Sequence, residues 1–318
     1  GAGAMKRIGL LLATRLAQAL FLALGISTLC FFLLRALPGD VAFRIAASRY
    51  GLDMVTTAAA EAVRAELNLD LPALRALGHW WVALLRFDLG VSAITGRAVW
   101  TELAQQLGHT VQLAVAAVAL ALAISAPLGV RAGLNPGGRL DTALLAGALL
   151  LRAIPPFLLG LLLIIAFALI LPLAPAAGHL EQGTLFLPAL TLALGLSAPL
   201  ARIVRDAMAQ VSSTPYYAFS RTKGLSEAAT FWRHGLRNIA VPVLAYLATQ
   251  LVFLIEGVVV IETLFAWPGI GHALIHALFG RDVPMIQGVV LVMSLGIVLF
   301  NALVDLVCLL LDPRERTV

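Results

Sequence analysis

Six stretches of this chain are long and apolar enough to fill the hydrocarbon core of a bilayer, and nothing else in the sequence constrains the fold as strongly. A helix needs about 20 predominantly apolar residues to span that core. The first stretch runs from about Leu16 to Leu34 and the second from Thr110 to Val130. The third lies between Thr142 and Leu171 and holds Arg152 and the pair Pro155-Pro156. The fourth, from about Leu185 to Ala201, is short and carries Pro188 and Pro199. The fifth runs from Ile239 to Ile261 with Gln250 and Glu256 inside it, and the sixth from Gln287 to Leu311, interrupted by Asn301 and Asp305. None alternates as a barrel strand must, so the sequence predicts an all-α membrane protein with six transmembrane helices. Composition agrees: 61% of the residues are hydrophobic and 12% charged, half the charge of an ordinary soluble domain. Cys30 and Cys308 both sit inside apolar runs, which excludes a disulfide framework and a multi-cysteine zinc site.

Lysine and arginine set the predicted orientation. With the N-terminus inside, thirteen basic and five acidic residues fall on the cytoplasmic side, a net +8; eight basic and nine acidic residues fall outside, a net −1. Both termini are therefore expected in the cytoplasm. The overall charge of +5 is spread over loops between spans, which suits membrane topology and argues against a nucleic-acid groove. Gly1-Ala2-Gly3-Ala4 precede Met5 and read as an expression remnant, and the apolar start at Ile8 reads as a retained first helix because no small-residue cleavage site follows it.

The expected organisation is residues 1–4 as remnant, 5–35 as the N-terminal segment and span one, 36–106 as an extracytoplasmic region, and 107–318 as a core of spans two to six. Amphipathic text from Glu61 to Leu67 and from Leu74 to Phe87, with Trp80 and Trp81, predicts outer helices lying at the interface. A mostly polar inner segment, 206–238, carries helix punctuation. Thr214-Pro215 is an N-cap followed by proline at the first helical position, and Gly224 suits the C′ position that ends that helix. Ser226 caps a second helix expected to run through Arg237, with Asn238 and Pro242 turning the chain into span five. Two short helices around a glycine elbow make a knob suited to a partner's groove; the alternative is a loop that merely supplies inside positive charge.

The run Arg221-Thr222-Lys223-Gly224-Leu225-Ser226, followed by Trp232-Arg233-His234-Gly235-Leu236-Arg237-Asn238 and Pro242, resembles the cytoplasmic "EAA" coupling loop of bacterial ABC importer permeases, specifically the dipeptide/oligopeptide/nickel branch. The resemblance extends along nearly the whole chain. It includes Leu37-Pro38-Gly39-Asp40, Asp88-Leu89-Gly90 with Ser92, the run from Glu262 through Trp267-Pro268-Gly269, Arg281-Asp282 with Pro284, and Asp305 with Asp312-Pro313-Arg314. Four positions depart from the pattern. The Glu-Ala-Ala place falls on Ala218-Phe219-Ser220, while the literal Glu227-Ala228-Ala229 follows Gly224 by coincidence. Arg237 replaces the general closing proline, Pro156 stands where the family commonly has serine, and Glu256 where relatives usually have a small residue.

The resemblance implies a permease subunit of an ATP-driven importer in the bacterial inner membrane. Its implied partners are a second homologous permease, two ATP-binding subunits and an extracytoplasmic substrate-binding protein. The implied cargo is a peptide, or nickel or a metallophore, or a glutathione-like compound. Pro215, Arg221, Lys223, Gly224, Leu225, Ser226, Arg233, His234 and Arg237 would couple the chain to the ATPase. No cofactor is expected in this chain, with ATP and Mg belonging to the partner subunits.

Other classes fit less well. A P-loop needs lysine before serine or threonine, and the only two lysines are followed by Arg7 and Gly224. No H-E-x-x-H or G-x-S-x-G run supports an intramembrane enzyme. His272 and His276 share a helix face but lack a third ligand nearby, leaving them weak metal candidates. A passive channel has no use for a shaped coupling loop. The candidate pathway residues are Arg152, Pro155, Glu256, Glu262, Asn301 and Asp305. Glu256 either lines the path and attracts a cationic group or bonds across helices, with Arg152 or the sister permease. Glu262 suits a gate or structural role, Asn301 and Asp305 suit helix packing, and Pro155-Pro156 should kink or break span three.

Overall fold

The computed structural model describes residues 2–36, 38–51, 55–66, 70–178 and 184–311; within these, the side chains of residues 2–8, 10–12, 34, 221, 234, 237, 251–256, 304 and 306–311 are not described. Leu37 and Asp312-Pro313-Arg314 lie outside the described residues. Among the described residues the chain is helical, with no strand beyond an isolated bridge between Val91 and Ala98.

Helix α1 (Ala2–Ala36) carries the first apolar run. α2 (Val41–Tyr50) begins where the Asp40 carboxylate accepts from the amides of Ala42 at 2.9 Å and Phe43 at 3.4 Å, filling donors that a helix start leaves open. α3 (Thr57–Glu66) and α4 (Ala73–Leu85) follow, then α5 (Val99–Leu134), α6 (Arg139–Ala153) and α7 (Pro156–Ile164) with a π turn over Ile165–Ile170. α8 (Phe186–Ser212), α9 (Pro215–Thr222) and α10 (Glu227–Thr230) lead through a π turn (Phe231–Gly235) into α11 (Leu236–Leu264). α12 (Ile270–Gly280) and α13 (Val283–Leu311) complete the order.

Among the described residues, four helical stretches are long and apolar enough to cross a membrane: Ala13–Leu33, Val99–Leu134, Phe186–Ser212 and Val283–Leu303. The α6–α7 pair makes a fifth if a break of 100° is allowed within one span. The run expected from Thr142 to Leu171 is thus no straight crossing. Pro156 clashes with a helical residue before it, so Pro155 is held extended at φ −58°, ψ 143°. The fifth expected run lies inside α11.

Two expectations change. The fourth run continues through Pro199 and well past Ala201 to Ser212, because the packing of α8 against α6, α7 and α11 offsets the lost amide donor and the ring clash that a proline brings to a helix interior. The second coupling helix does not turn at Asn238 and Pro242; it passes through the π turn directly into α11, with Pro242 inside the helix. Long packed helices absorb such a proline by local readjustment of their bonds.

The chain divides into two compact units. One comprises the residues up to Thr110 together with Pro268–Leu299. Its larger core gathers Leu89, Val99, Leu103, Ile270, Met285 and Val289, and a smaller one gathers Ile45, Ala46, Ala60 and Val63 under α2 and α3. The other unit comprises Val111–Trp267 and the residues from Phe300. Its core runs along α8, whose 18-residue apolar window is 67% buried, from Leu187 through Leu200 and Met208 to Tyr217. There α5 lies close against α8: a Cβ added at Gly133 would stand 2.5 Å from the Arg205 carbonyl oxygen, and one at Gly129 would stand 2.6 Å from that of Ala201.

Candidate functional site

The segment joining α8 to α11 is built around a helix that ends on purpose. α9 opens with exposed Pro215 and closes with Gly224 at φ +84°. The Leu225 amide reaches back to the Ser220 carbonyl at 3.4 Å, the six-to-one bond of a Schellman end, and only the left-handed residue at C′ makes it geometrically possible. Two residues on, Ser226 takes extended backbone and its hydroxyl oxygen accepts from the Ala229 amide at 3.2 Å, starting α10. The Ser226 carbonyl in turn accepts from the Thr230 hydroxyl at 3.0 Å.

The helical period sorts the side chains of this elbow. Tyr217 and Ser220 face inward, with Tyr217 1% exposed, and Thr230 and Gly235 are buried as well. Tyr216, Phe219 and Lys223 face outward, and the Lys223 ammonium lies 4.7 Å from the centre of the Phe219 ring, within cation–π range. Trp232 is 69% exposed and Phe219 59%. The Asn238 amide donates to the Tyr216 hydroxyl at 3.3 Å. Leu225 is half-buried, while Arg233 is exposed beside Trp232. The side chains of Arg221, His234 and Arg237 lie outside the described residues.

Farther back on α8, the guanidinium of Arg205 grips Asp141 at the start of α6 through two bonds, Nε to Oδ1 at 2.8 Å and Nη2 to Oδ2 at 2.6 Å. Its third nitrogen reaches Asp206 at 2.9 Å, and the Gly137 amide donates to Asp141 at 2.8 Å. Paired donors fitted to a carboxylate hold a fixed geometry as well as a charge. In the sequence, Arg205 and Asp141 enter only the count of inside charges, and Phe219 and Trp232 only as places in the coupling-loop resemblance. An aspartate in the first turn of a helix and a tryptophan in polar text were the available signals.

In the other unit, motifs far apart in sequence meet. Asp282 is buried and accepts from the Ser92 hydroxyl, from the amides of Ala93 at 3.0 Å and Ile94 at 3.4 Å, and from the Met285 amide at 3.3 Å that opens α13. Arg281, at φ +53°, donates to the carbonyls of Pro38 and of Gly39, the latter at 3.2 Å. The Pro-Gly, Leu-Gly-x-Ser and Arg-Asp stretches thereby form one junction.

The remaining candidates are scattered. Arg152 and Pro155 are exposed near the α6–α7 break, Glu262 is fully buried at the end of α11, and Asn301 and Asp305 are half-buried on α13. The Glu256 side chain lies outside the described residues. His272 and His276 bring their rings to 4.5 Å, and burial, followed by the neighbouring imidazole, lowers the pKa of His272. Among the described residues no group of three His, Cys, Asp or Glu side chains is arranged to hold a metal ion.

Comparison with known proteins converges on one family. Residues 125–317 match the binding-protein-dependent transport system inner membrane component family. A Brucella abortus protein described as a peptide transport system permease is 36% identical over 314 residues, covering 96% of this chain and 98% of its own. The glutathione transport system permease protein GsiC of Pectobacterium atrosepticum is 34% identical over 291 residues, 92% of this chain and 94% of that one, and its Escherichia coli counterpart is 32% identical over the same length. The chain therefore belongs to the binding-protein-dependent transport system inner membrane components, as a multi-pass ABC transporter permease of the peptide family.

Proposed function

We propose that this chain forms half of the translocation pathway of an ATP-driven importer in the bacterial inner membrane, carrying short peptides of which glutathione is one example. A second homologous permease supplies the other half. Two ATP-binding subunits bind ATP with Mg and drive the cycle, and an extracytoplasmic binding protein delivers the cargo. In this reading the chain crosses the membrane six times with both termini in the cytoplasm, so that segment 206–238 faces the ATPases and region 36–106 the binding protein.

The single observation behind this reading is the elbow between α8 and α11. A Schellman end, a serine cap and a buried Tyr217 hold Phe219 and Trp232 out into solvent. A knob of defined shape with exposed aromatic and basic groups suits a groove in another protein, where such residues carry most of the binding energy. Closure of the ATPase pair would pull on the knob, and the buried α8 and continuous α11 would carry that displacement into the spans.

The test is ATP-dependent uptake into proteoliposomes holding this chain, its sister permease and the ATPase subunits, with binding protein and labelled di- and tripeptides or glutathione outside. Uptake that needs both ATP and binding protein supports the proposal. Uptake without either would reassign the chain to passive conduction. Transport of nickel or a metal chelate with no peptide transport would redirect the cargo and leave the permease role standing.

A further inference from the structure

We propose that Arg205 and Asp141 are positioning residues of the transport cycle: their ion pair makes α6 follow the elbow end of α8, and the break at Pro155-Pro156 is the joint that takes up the resulting movement. This rests on the importer reading given above. The pair is shielded from solvent, with Asp141 2% exposed and the Arg205 side chain 21%. Its two parallel bonds fix the relative orientation of guanidinium and carboxylate as well as their distance. Apolar side chains between helices, by contrast, permit small sliding shifts. Parting the pair would leave a buried carboxylate with the Gly137 amide alone among these donors, and an uncompensated buried charge is strongly disfavoured. Separation of these two helix ends is therefore a movement that the fold resists.

The clamp stands between the elbow and the broken span. On the elbow side, Met208 and Val211, in the next two turns of α8, share one buried core with Tyr217 of α9. The end of α5 is fastened to the same stretch of α8 by the close approaches at Gly129 and Gly133. On the other side, α6 carries Asp141 in its first turn and runs 15 residues to Ala153, about 22 Å of helix.

Beyond α6 the helical bonding stops. The Ile154 amide reaches the Leu151 carbonyl at 3.4 Å, and α7 departs at 100°. Pro155 and Pro156 have no amide hydrogen, so neither bonds back to the last turn of α6. α7 is held elsewhere: a Cβ added at Gly160 would stand 2.7 Å from Leu264 Cδ2, at the end of α11 farthest from the elbow. One half of the broken span is thus tied to the elbow end of α8 and the other half to the far end of α11. Relative movement of those two ends has to be absorbed between them, and the proline pair is the compliant point. Arg152, exposed in the last turn of α6, is the charged group that such a swing displaces.

The experiment uses the full complex, this chain with its sister permease and ATPase subunits, in proteoliposomes with binding protein and labelled peptide. Asp141→Asn should leave ATPase binding and ATP hydrolysis in place while moving about tenfold fewer peptides per ATP, a coupling of ordinary size. Arg205→Lys keeps the charge and loses the paired geometry, and should fall between Asp141→Asn and wild type. In a chain with Cys30 and Cys308 replaced by alanine, Asp141→Cys with Arg205→Cys should be uncoupled as well. Bridging those two thiols with a bifunctional methanethiosulfonate should restore the ratio until the bridge is reduced. Bridged complex that hydrolyses ATP but moves no peptide would show that α6 and α8 must part during the cycle, and would overturn the proposal. A wild-type ratio in Asp141→Asn and in the unbridged pair would overturn it too.

A second readout leaves the clamp intact and needs no uptake. Nitroxides at exposed Ala146 and Gln210 should keep their separation between nucleotide-free and ATP-bound complex, read by double electron–electron resonance. Nitroxides at Ala146 and exposed Leu162, across the break, should change theirs. A constant distance across the break, or a changing one along the clamp, refutes the joint even where a clamp variant does not assemble. Wild-type complex without ATP-dependent uptake would remove the importer reading alone, since the distances still decide the clamp.

Discussion

At Gly224 the cost of a side chain can be separated from the cost of space. A Cβ built there meets no atom within 4 Å, yet the residue sits at φ +84°. Any penalty is therefore conformational, and its order should follow left-handed preference rather than volume. Asparagine tolerates this region and should cost least. Alanine should cost about 1 kcal/mol, and β-branched valine toward 3 kcal/mol, the upper end for a non-glycine residue held left-handed. The elbow is anchored by few buried groups, Tyr217, Ser220 and Thr230 among them, so its local stability margin is small. With about 1.4 kcal/mol per factor of ten, the docking-competent population falls at most roughly tenfold for Gly224→Ala and about a hundredfold for Gly224→Val. Apparent affinity of the solubilised permease for its ATPase subunit, measured by biolayer interferometry, should drop in the order Gly, Asn, Ala, Val. Transport-coupled ATP turnover should follow, with membrane insertion unchanged. Valine binding as tightly as glycine would refute the reasoning, and so would equal loss for all three variants, since that pattern belongs to a steric clash the structure does not contain.

Three other outcomes are expected. Gly133→Ala should disrupt folding despite an ordinary helical backbone, because its methyl would meet the Arg205 carbonyl at 2.5 Å; overpacking of this kind costs about 1–3 kcal/mol, visible as a lower melting temperature in detergent. Trp232→Ala should weaken ATPase binding by about 2 kcal/mol, as loss of an interfacial tryptophan anchor does, without changing the melting temperature of the isolated chain. The third concerns acid. Burial raises the pKa of Asp40, but the Arg64 guanidinium and the amides of Ala42 and Phe43 outweigh it, and the Arg49 guanidinium lowers that of Glu66. Carboxylates with depressed folded-state pKa values contribute stability that is present above their unfolded values and lost as pH falls through the folded ones. Amides of α2 and α3 should therefore lose hydrogen-exchange protection below about pH 4, in the ordinary carboxylate range, and high salt should shrink the effect. Protection unchanged down to pH 2 would remove these ion pairs from the account.

Local chemistry was legible in the sequence wherever one residue type decides one backbone conformation. Pro215 opens α9, Gly224 ends it and Ser226 caps α10 as expected, although the Thr214 hydroxyl turns back to the Val211 carbonyl instead of capping α9, and Pro155-Pro156 break the third apolar run. Apolar length alone marked the helical membrane character, since a backbone in lipid must bond within its own segment. The family itself was visible as a resemblance, which the family match over residues 125–317 and the relatives aligned along nearly the whole chain bear out. What packing decides was not legible. Whether Pro199 and Pro242 end a helix depends on the neighbours holding the chain on either side, so the short fourth run and the turn expected at Asn238 and Pro242 both gave way to continuous helices. Asp141 and Arg205 looked like two loop charges because their pairing spans 64 positions, and Asp282 met Ser92 across 190. A sequence determines propensities that act within a turn or two; which distant groups share a dielectric and a hydrogen bond is decided when helices pack.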